Sequence, residues 1–261
     1  MNIDQAPNSS GASIAIAGAS HQFAGGRTVI RDVSLTLQPG EFVSIVGPSG
    51  CGKTTILNLV AGLIPLQTGS ISIEGQPPRA GRHDMAYMMA RDGLLPWLSA
   101  QRNAEFGARI RGMPEAPRRA RASRLLQNVG LKDFADAYPK QLSHGMRQRV
   151  ALARTFCLES PILLMDEPFG ALDAQTKLQL EDVLLGLWSE ERRTVVFITH
   201  DLAEAVTVSD RVVVMSRQGR IRADIPIPLA RPRSVKALQK DPLYHELYAK
   251  VWSELEIGLS A

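Results

Sequence analysis

An unbroken apolar run, Phe42-Val-Ser-Ile-Val46, leads into Gly47-Pro-Ser-Gly-Cys-Gly-Lys-Thr54, and from Thr54 onward Ile56, Leu57, Val60 and Leu63 recur at helical spacing. No other stretch constrains the fold as tightly. A buried strand, a glycine-rich turn and a helix in this order let successive backbone N–H groups turn inward, while the helix aims its positive end at the same point. Such a turn cradles polyphosphate. Lys53 is placed to reach the β- and γ-phosphates, and the Thr54 hydroxyl to ligate Mg²⁺. The expected nucleotide contacts are therefore Gly47, Pro48, Ser49, Gly50, Cys51, Gly52, Lys53 and Thr54, with Thr55 behind them. A chance glycine-rich turn does not account for the full match between strand and helix. Alone, the motif says only that the chain is a P-loop nucleotidase.

The rest of the chain follows other periods. Alternation in Ser13-Ile-Ala-Ile-Ala17, Val33-Ser-Leu-Thr-Leu37 and Ser70-Ile-Ser-Ile73 predicts half-buried strands of an antiparallel lobe, with turns at Pro39-Gly40 and Gly75. From Ala100 to about Gly130 the pattern is helical, interrupted by Pro114 and Pro117, with Gly130 as a C-terminal cap. Residues 98–141 read as a helical subdomain, carried to about residue 157 by a helix from about Gly145 to Leu158. A buried strand Ile162–Met165, a helix from Gln175 to Trp188 and a second buried strand Thr194–Thr199 then alternate, as in a parallel sheet covered on both faces. Strands are expected around Arg211–Met215 and Arg220–Ala223, and a helical stretch from about Ser234 to Leu255. The predicted fold is α/β: a mainly parallel sheet, an antiparallel β lobe and a helical subdomain. Residues 1–12 read as a disordered tail, 13–232 as one domain and 233–261 as a helical extension.

Composition narrows the class. With 261 residues, 44% hydrophobic and 21% charged, the chain buries a sizeable core, and no apolar run reaches the ~18–20 residues of a membrane span. Met1-Asn-Ile-Asp lacks the basic start of a secretory leader, so a cytoplasmic location is expected. Cys51 and Cys157 read as reduced thiols, because a disulfide at Cys51 would restrain a loop that must fit a ligand. Formal charge is +4, with basic clusters at Arg118-Arg119-Ala-Arg121 and Arg231-Pro-Arg233. These fit either a solvated helix face and a linker, or a patch for nucleic acid or lipid headgroups.

Asp166-Glu167 ends the apolar strand Ile162–Met165, at the edge where open α/β sheets bind ligands. Two adjacent acids divide the labour. Asp166 would hold Mg²⁺ or its water, and Glu167 would orient or deprotonate the water attacking in line. A strand merely ending in exposed acids is the plainer reading, and the phosphate loop argues against it.

Gln141-Leu-Ser-His-Gly-Met-Arg-Gln-Arg149 resembles the signature segment of ABC ATPases. The phosphate loop, Ile162-Leu-Leu-Met-Asp-Glu-Pro-Phe-Gly-Ala-Leu-Asp173, and Thr199-His200-Asp201 followed by Glu204-Ala205 match the same family in the same order, so the resemblance covers nearly the whole chain. It implies an ATPase with Lys53, Glu167 and His200 as the catalytic set, His200 being similar to the switch residue that contacts γ-phosphate and water. Phe23 resembles the aromatic on which adenine stacks, although an isolated aromatic is more often core. Ser143 and Gly145 resemble the donors that close over the γ-phosphate on the opposite subunit. Asp173 resembles the acid that joins the two sites. The family further implies ATP and Mg²⁺, Thr54 and Asp166 as metal-holding residues, and a homodimer closed by ATP and reset by hydrolysis. It also implies an integral membrane permease as partner, an extracytoplasmic solute-binding protein acting indirectly, and a peripheral place on the cytoplasmic face of the membrane.

Two positions depart from the pattern. Ala90 stands where the family generally has a glutamine, so one link between nucleotide and membrane partner is missing or made differently. His144 replaces the usual first glycine of the signature, where it would crowd the opposing phosphate or donate to it. With no fused membrane span, the chain is similar to importer subunits. Leu94-Leu-Pro-Trp97, Gly145-Met-Arg-Gln-Arg149 and Pro168-Phe-Gly-Ala-Leu-Asp173 resemble those that energise nitrate, sulfonate and taurine uptake. Leu95, Pro96 and Trp97 then either line the groove for a permease coupling helix or pack as core and subdomain-interface residues. Two rivals stay in view: an ABC-type ATPase acting on DNA or ribosomes, and a nucleotide-gated clamp with little hydrolysis. The single phosphate loop and the short stretch between Trp97 and Leu142 argue against the first, and no nucleic-acid partner is expected.

Overall fold

The computed structural model describes residues 11–260 apart from Ala24, Arg27 and Ala171. In chain order, β1 (Ile14–Gln22), β2 (Thr28–Leu37) and β3 (Phe42–Val46) precede α1 (Lys53–Val60), β4 (Thr68–Ile73) and β5 (Met85–Met88). Three helices come next, α2 (Ala100–Ile110), α3 (Glu115–Asn128) and α4 (His144–Cys157). The chain then alternates through β6 (Ile162–Asp166), α5 (Ala174–Glu191), β7 (Thr194–Ile198) and α6 (Leu202–Val208), and ends with β8 (Arg211–Met215), β9 (Ile221–Pro226), α7 (Val235–Leu238) and α8 (Pro242–Ser260).

Two sheets result. β2, β1 and β4 form an antiparallel sheet in that order, and the six-stranded sheet runs β5-β6-β7-β3-β8-β9. Its first five strands are parallel, while β9 returns antiparallel to β8. Pro226 is tolerated there because β9 is an edge strand with no further neighbour to receive an N–H. The central strands are buried on both sides, so successive side chains enter different cores. Leu163, Met165, Val195 and Phe197 pack with the helical subdomain. Ile162, Leu164, Val196 and Ile198 pack against α1 and the antiparallel sheet. A third cluster joins α6 and α8 to β8 through Val206, Val212, Tyr244 and Val251. Each fully buried side chain of this size adds roughly 1.5–3 kcal/mol.

Several boundaries differ from expectation for identifiable reasons. β5 carries no alternation and is too short to read from sequence, yet it pairs in register with β6 from Met85↔Ile162 to Met88↔Met165. Pro114 separates α2 from α3 as expected, whereas Pro117 lies in the first turn of α3, where its missing N–H costs nothing. Gly130, at φ 73°, ends that helix in the left-handed region. Of the segment expected as a tail, residues 1–10 lie outside the described residues. Ala12 is buried and its carbonyl accepts from Thr194 Oγ1 at 2.7 Å, so the packed chain begins before Ser13.

The basic clusters are mostly engaged in internal contacts rather than free in solvent. Arg231 lies over the Trp188 ring at 4.1 Å and pairs with Asp210 at 2.8 Å. Arg233 donates to the carbonyls of Thr207, Ser209, Ile227 and Leu229, stapling the segment before α7 to the α6–β8 turn. Arg118 pairs with Glu105, and Arg121 with Glu159 and Glu191, within the helical subdomain. Only Arg119 of these five is exposed.

Candidate active site

Strand register brings the motifs together. Ile45 of β3 pairs with Ile198 of β7, and Ile198 pairs with Asp166 of β6, so three neighbouring parallel strands end level with one another. The segments leaving these strand ends therefore share one rim: Gly47–Thr54 after β3, Glu167 after β6, and Thr199-His200 after β7. This is the carboxyl edge at which open α/β sheets hold ligands.

The loop is built by its glycines. Gly50 and Gly52 stand at φ 78° and 103°, and a Cβ on Gly52 would lie 2.5 Å from the Val29 carbonyl oxygen. Lys53 is buried, its ammonium donating to the carbonyls of Gly47 at 2.8 Å and Pro48 at 3.2 Å. Cys51 is buried against Gly47, and burial pushes its thiol up although Lys53 draws it down. Both cysteines are free thiols.

Thr54 Oγ1 donates to Asp166 Oδ1 at 3.1 Å. Burial raises the Asp166 carboxyl above its usual range; Glu167 adds to the rise, and Thr54 and Lys53 oppose it. A divalent cation would offset that desolvation. This hydroxyl and carboxylate side by side form the hard-oxygen donor pair that Mg²⁺ takes when phosphates and water complete its shell. The residues present therefore fit Mg²⁺. Tyr87 of β5 stands nearby, its hydroxyl on Asn58 Oδ1 at 3.2 Å and its phenol raised by burial and then by Asp166.

Glu167 is one of few non-glycine residues in the left-handed region, at φ 45°. Its N–H donates to Ile198 O at 2.9 Å, and this bond continues the β6–β7 ladder around the turn. Its Oε2 lies 3.2 Å from His200 Nδ1, and a carboxylate acceptor there favours the tautomer with the proton on Nδ1. Gly170 sits against both: a Cβ on it would be 3.4 Å from His200 Cε1 and 3.6 Å from Glu167 Oε2. A strained residue held by bonds on two sides is a common mark of a functional position.

Two cavities take most of the predicted residues, while Gly47, Pro48, Cys51, Asp166 and His200 line neither. One, of about 470 Å³, is lined by Phe23, Val29, Ser49, Gly50, Gly52, Lys53, Thr54, Thr55 and Glu167. Phe23 is 47% exposed, with His21 edge-on at 4.9 Å. The other, of about 410 Å³, contains Ser143, His144, Gly145, Arg149, Asp173 and Thr176. There Ser143 Oγ caps α4 by accepting from Met146 N at 3.2 Å. Asp173 caps α5, its carboxylate held low by the Thr176 hydroxyl and N–H. Ser143, Gly145 and Asp173 line none of the cavity that holds the phosphate loop.

The segment around Ala90 is held against α4. Gln148 donates to Ala90 O at 3.2 Å, Arg147 pairs with Asp92 at 3.0 Å, and Arg154 donates to the carbonyls of Asp92 and Gly93. Asn103 clamps Leu95 through both N–H and C=O. Trp97 is 69% exposed, yet Leu95, Pro96 and Trp97 line none of the apolar groove of about 400 Å³. That groove is formed by Leu63, Met85, Tyr87, Phe106, Ile110 and Leu158. Spacing alone would not have found it, because its residues come from separated segments of the chain. Among the described residues no helix is long and apolar enough to cross a membrane.

The chain is similar to known proteins over most of its length. The family described as ABC transporter matches residues 30–170. A protein of Brucella abortus (strain 2308) is 45% identical over 229 residues, covering 87% of this chain and 88% of its own. The taurine import ATP-binding protein TauB of Escherichia coli O157:H7 is 41% identical over 232 residues, covering 86% and 91%. Among solved structures, the dimeric post-hydrolysis state of the ATP-binding cassette MJ0796 bound to ADP and Pi superposes with a TM-score of 0.73 at 30% identity, covering 83% of this chain and 100% of that one. With the fold, the phosphate loop and the signature segment in hand, the chain belongs to the ABC transporter family as one of its ATP-binding ATPase subunits.

Proposed function

We propose that this subunit hydrolyses ATP as a homodimer on the cytoplasmic face of the cell membrane and thereby powers solute import through a separate integral permease. The observation that carries the reading is the meeting of Lys53, Thr54, Asp166, Glu167 and His200 around the ends of three level strands. In this reading the backbone N–H groups of Gly47–Thr54 and the Lys53 ammonium hold the phosphates, which requires Lys53 to leave its loop carbonyls. Thr54 and Asp166 hold Mg²⁺, which when bound neutralises phosphate charge. Glu167 accepts the proton of the attacking water, and His200 keeps that carboxylate oriented through Nδ1. Phe23 stacks on adenine at the far end of the same cavity. Ser143, Gly145 and Asp173 serve the nucleotide of the partner subunit from the second cavity.

The apolar groove beside β5 and α2 suits a permease segment with exposed apolar anchors. Likeness to a taurine import subunit supports uptake of taurine-, sulfonate- or nitrate-like anions, delivered by an extracytoplasmic binding protein. The arginines that fill the two basic clusters are mostly engaged in internal pairs, which weighs against a nucleic-acid role. ATP turnover by the permease complex, measured with candidate anions, tests the proposal. Glu167→Gln is expected to bind Mg-ATP normally and to lose turnover by on the order of 10²–10⁴-fold. Wild-type turnover indistinguishable from that variant would leave only a nucleotide-gated clamp.

A further inference from the structure

His200 holds its imidazole at the mouth of the site, 55% exposed, where Glu167 is its hydrogen-bond partner. Beyond Glu167 and the Gly170 it sits against, the exposed ring is carried by the backbone on either side. On one side, Thr199 is buried; its hydroxyl donates to Glu204 and accepts from Asp201 N at 3.0 Å. On the other, Asp201 Oδ1 accepts from the N–H groups of Ala203 and Glu204, capping α6. Asp201 Oδ2 takes the Lys177 ammonium at 2.8 Å.

Lys177 comes from a different element. It lies one turn into α5, its N–H donating to Asp173 O at 2.9 Å, and its side chain is only 16% exposed. It faces three carboxylates, Asp201, Glu204 and Glu181, of which Glu204 and Glu181 are buried. The cap of α6 needs only Asp201 Oδ1, so the bond to Lys177 adds nothing to that helix. What it adds is a tie between the corner that carries His200 and the turn of α5 that places Asp173 and Thr176 in the signature cavity. Without this cation Asp201 would keep only the N–H donors of α6, and the tie between the His200 corner and α5 would be lost.

We infer that Lys177 is a positioning residue for hydrolysis: through Asp201 it fixes the backbone corner that aims His200 at Glu167, and it links that corner to the α5 turn beside the signature. The inference rests on Glu167 and His200 acting on ATP as proposed above. The test is steady-state ATPase measurement on the permease complex of the full chain, with Mg-ATP affinity and melting temperature measured alongside. Lys177→Met keeps the length of the side chain without its charge. It is expected to lower kcat by on the order of tenfold or more, with KM for ATP changed by less than about twofold. Lys177→Arg is expected to recover most of kcat. Asp201→Asn, which keeps Oδ1 as the cap and removes the charge facing Lys177, is expected to reproduce the loss if Lys177→Met does not fold. Wild-type kcat in both Lys177→Met and Asp201→Asn overturns the inference and leaves the ATPase reading intact. So does a loss of kcat that tracks melting temperature alone and is not recovered by arginine. Absence of turnover in the wild-type complex overturns both.

Discussion

Gly52 shows how much of this site is decided by single atoms. Its φ of 103° is left-handed, and a Cβ would press to 2.5 Å on the Val29 carbonyl, which belongs to β2 and cannot easily withdraw. Gly75 has a comparable φ of 76° but nothing within 4 Å of its would-be Cβ. Gly75→Ala is therefore expected to cost about 1 kcal/mol of backbone strain and to bind Mg-ATP as the wild type does. Gly52→Ala is expected to lose binding, because the loop must shift away from β2. Titration of both variants with Mg-ATP checks the contrast, and equal affinities would contradict it. At this scale the sequence was most legible. The order of glycines, lysine and threonine has one physical purpose, so the identities of Gly47–Thr54 and of Asp166-Glu167 could be read before any fold was known. Gly170 and Lys177 could not be read, since a glycine after Phe169 and a lysine on a helix face have many uses, and only contact reveals theirs.

Among elements, the packing of α5 on α6 carries a cost that pH exposes. Burial pushes the Glu181 carboxyl up to about 8, with Glu204 and Asp201 adding and Lys177 opposing; burial likewise raises Glu204. Burial also lifts Asp201, but Lys177 and the N–H groups of α6 outweigh it and hold that acid low. A carboxyl raised in the folded chain binds a proton that the unfolded chain has already released. Its stabilising effect is complete below the ordinary carboxylate range and is lost as pH rises toward about 8. The melting temperature is thus expected to fall between pH 6 and pH 8. Glu181→Gln should reduce that slope and raise the melting temperature at pH 8. A pH series of thermal melts decides the matter, and an unchanged slope in the variant would contradict it. Asp201 and Glu204 have the spacing of a reciprocal helix cap. Asp201 does cap α6, while Glu204 accepts from the buried Thr199 hydroxyl, which itself takes the Asp201 N–H. Long strands and helices were readable from their periods. β5 was not, since it has four residues and is set by its register with β6.

Across the whole molecule most of the predicted contacts line two separate cavities, with Gly47, Pro48, Cys51, Asp166 and His200 lining neither. One has the phosphate loop, Phe23 and Glu167, and the other has Ser143, Gly145 and Asp173. In the proposed homodimer each nucleotide would take half of its surroundings from one chain and the rest from a second copy. The solved MJ0796 cassette, similar over most of this chain, is dimeric with ADP and Pi. The loop around Ala90 is tied to α4, whose first residues carry the signature, through Gln148, Arg147 and Arg154. Light scattering on Glu167→Gln protein, with and without Mg-ATP, tests this account most directly. Mg-ATP is expected to convert monomer to dimer, ADP to leave it monomeric, and Ser143→Arg on the same background to abolish the dimer while retaining nucleotide binding. A monomer at saturating Mg-ATP, or a dimer unaffected by Ser143→Arg, would contradict a site shared between two subunits.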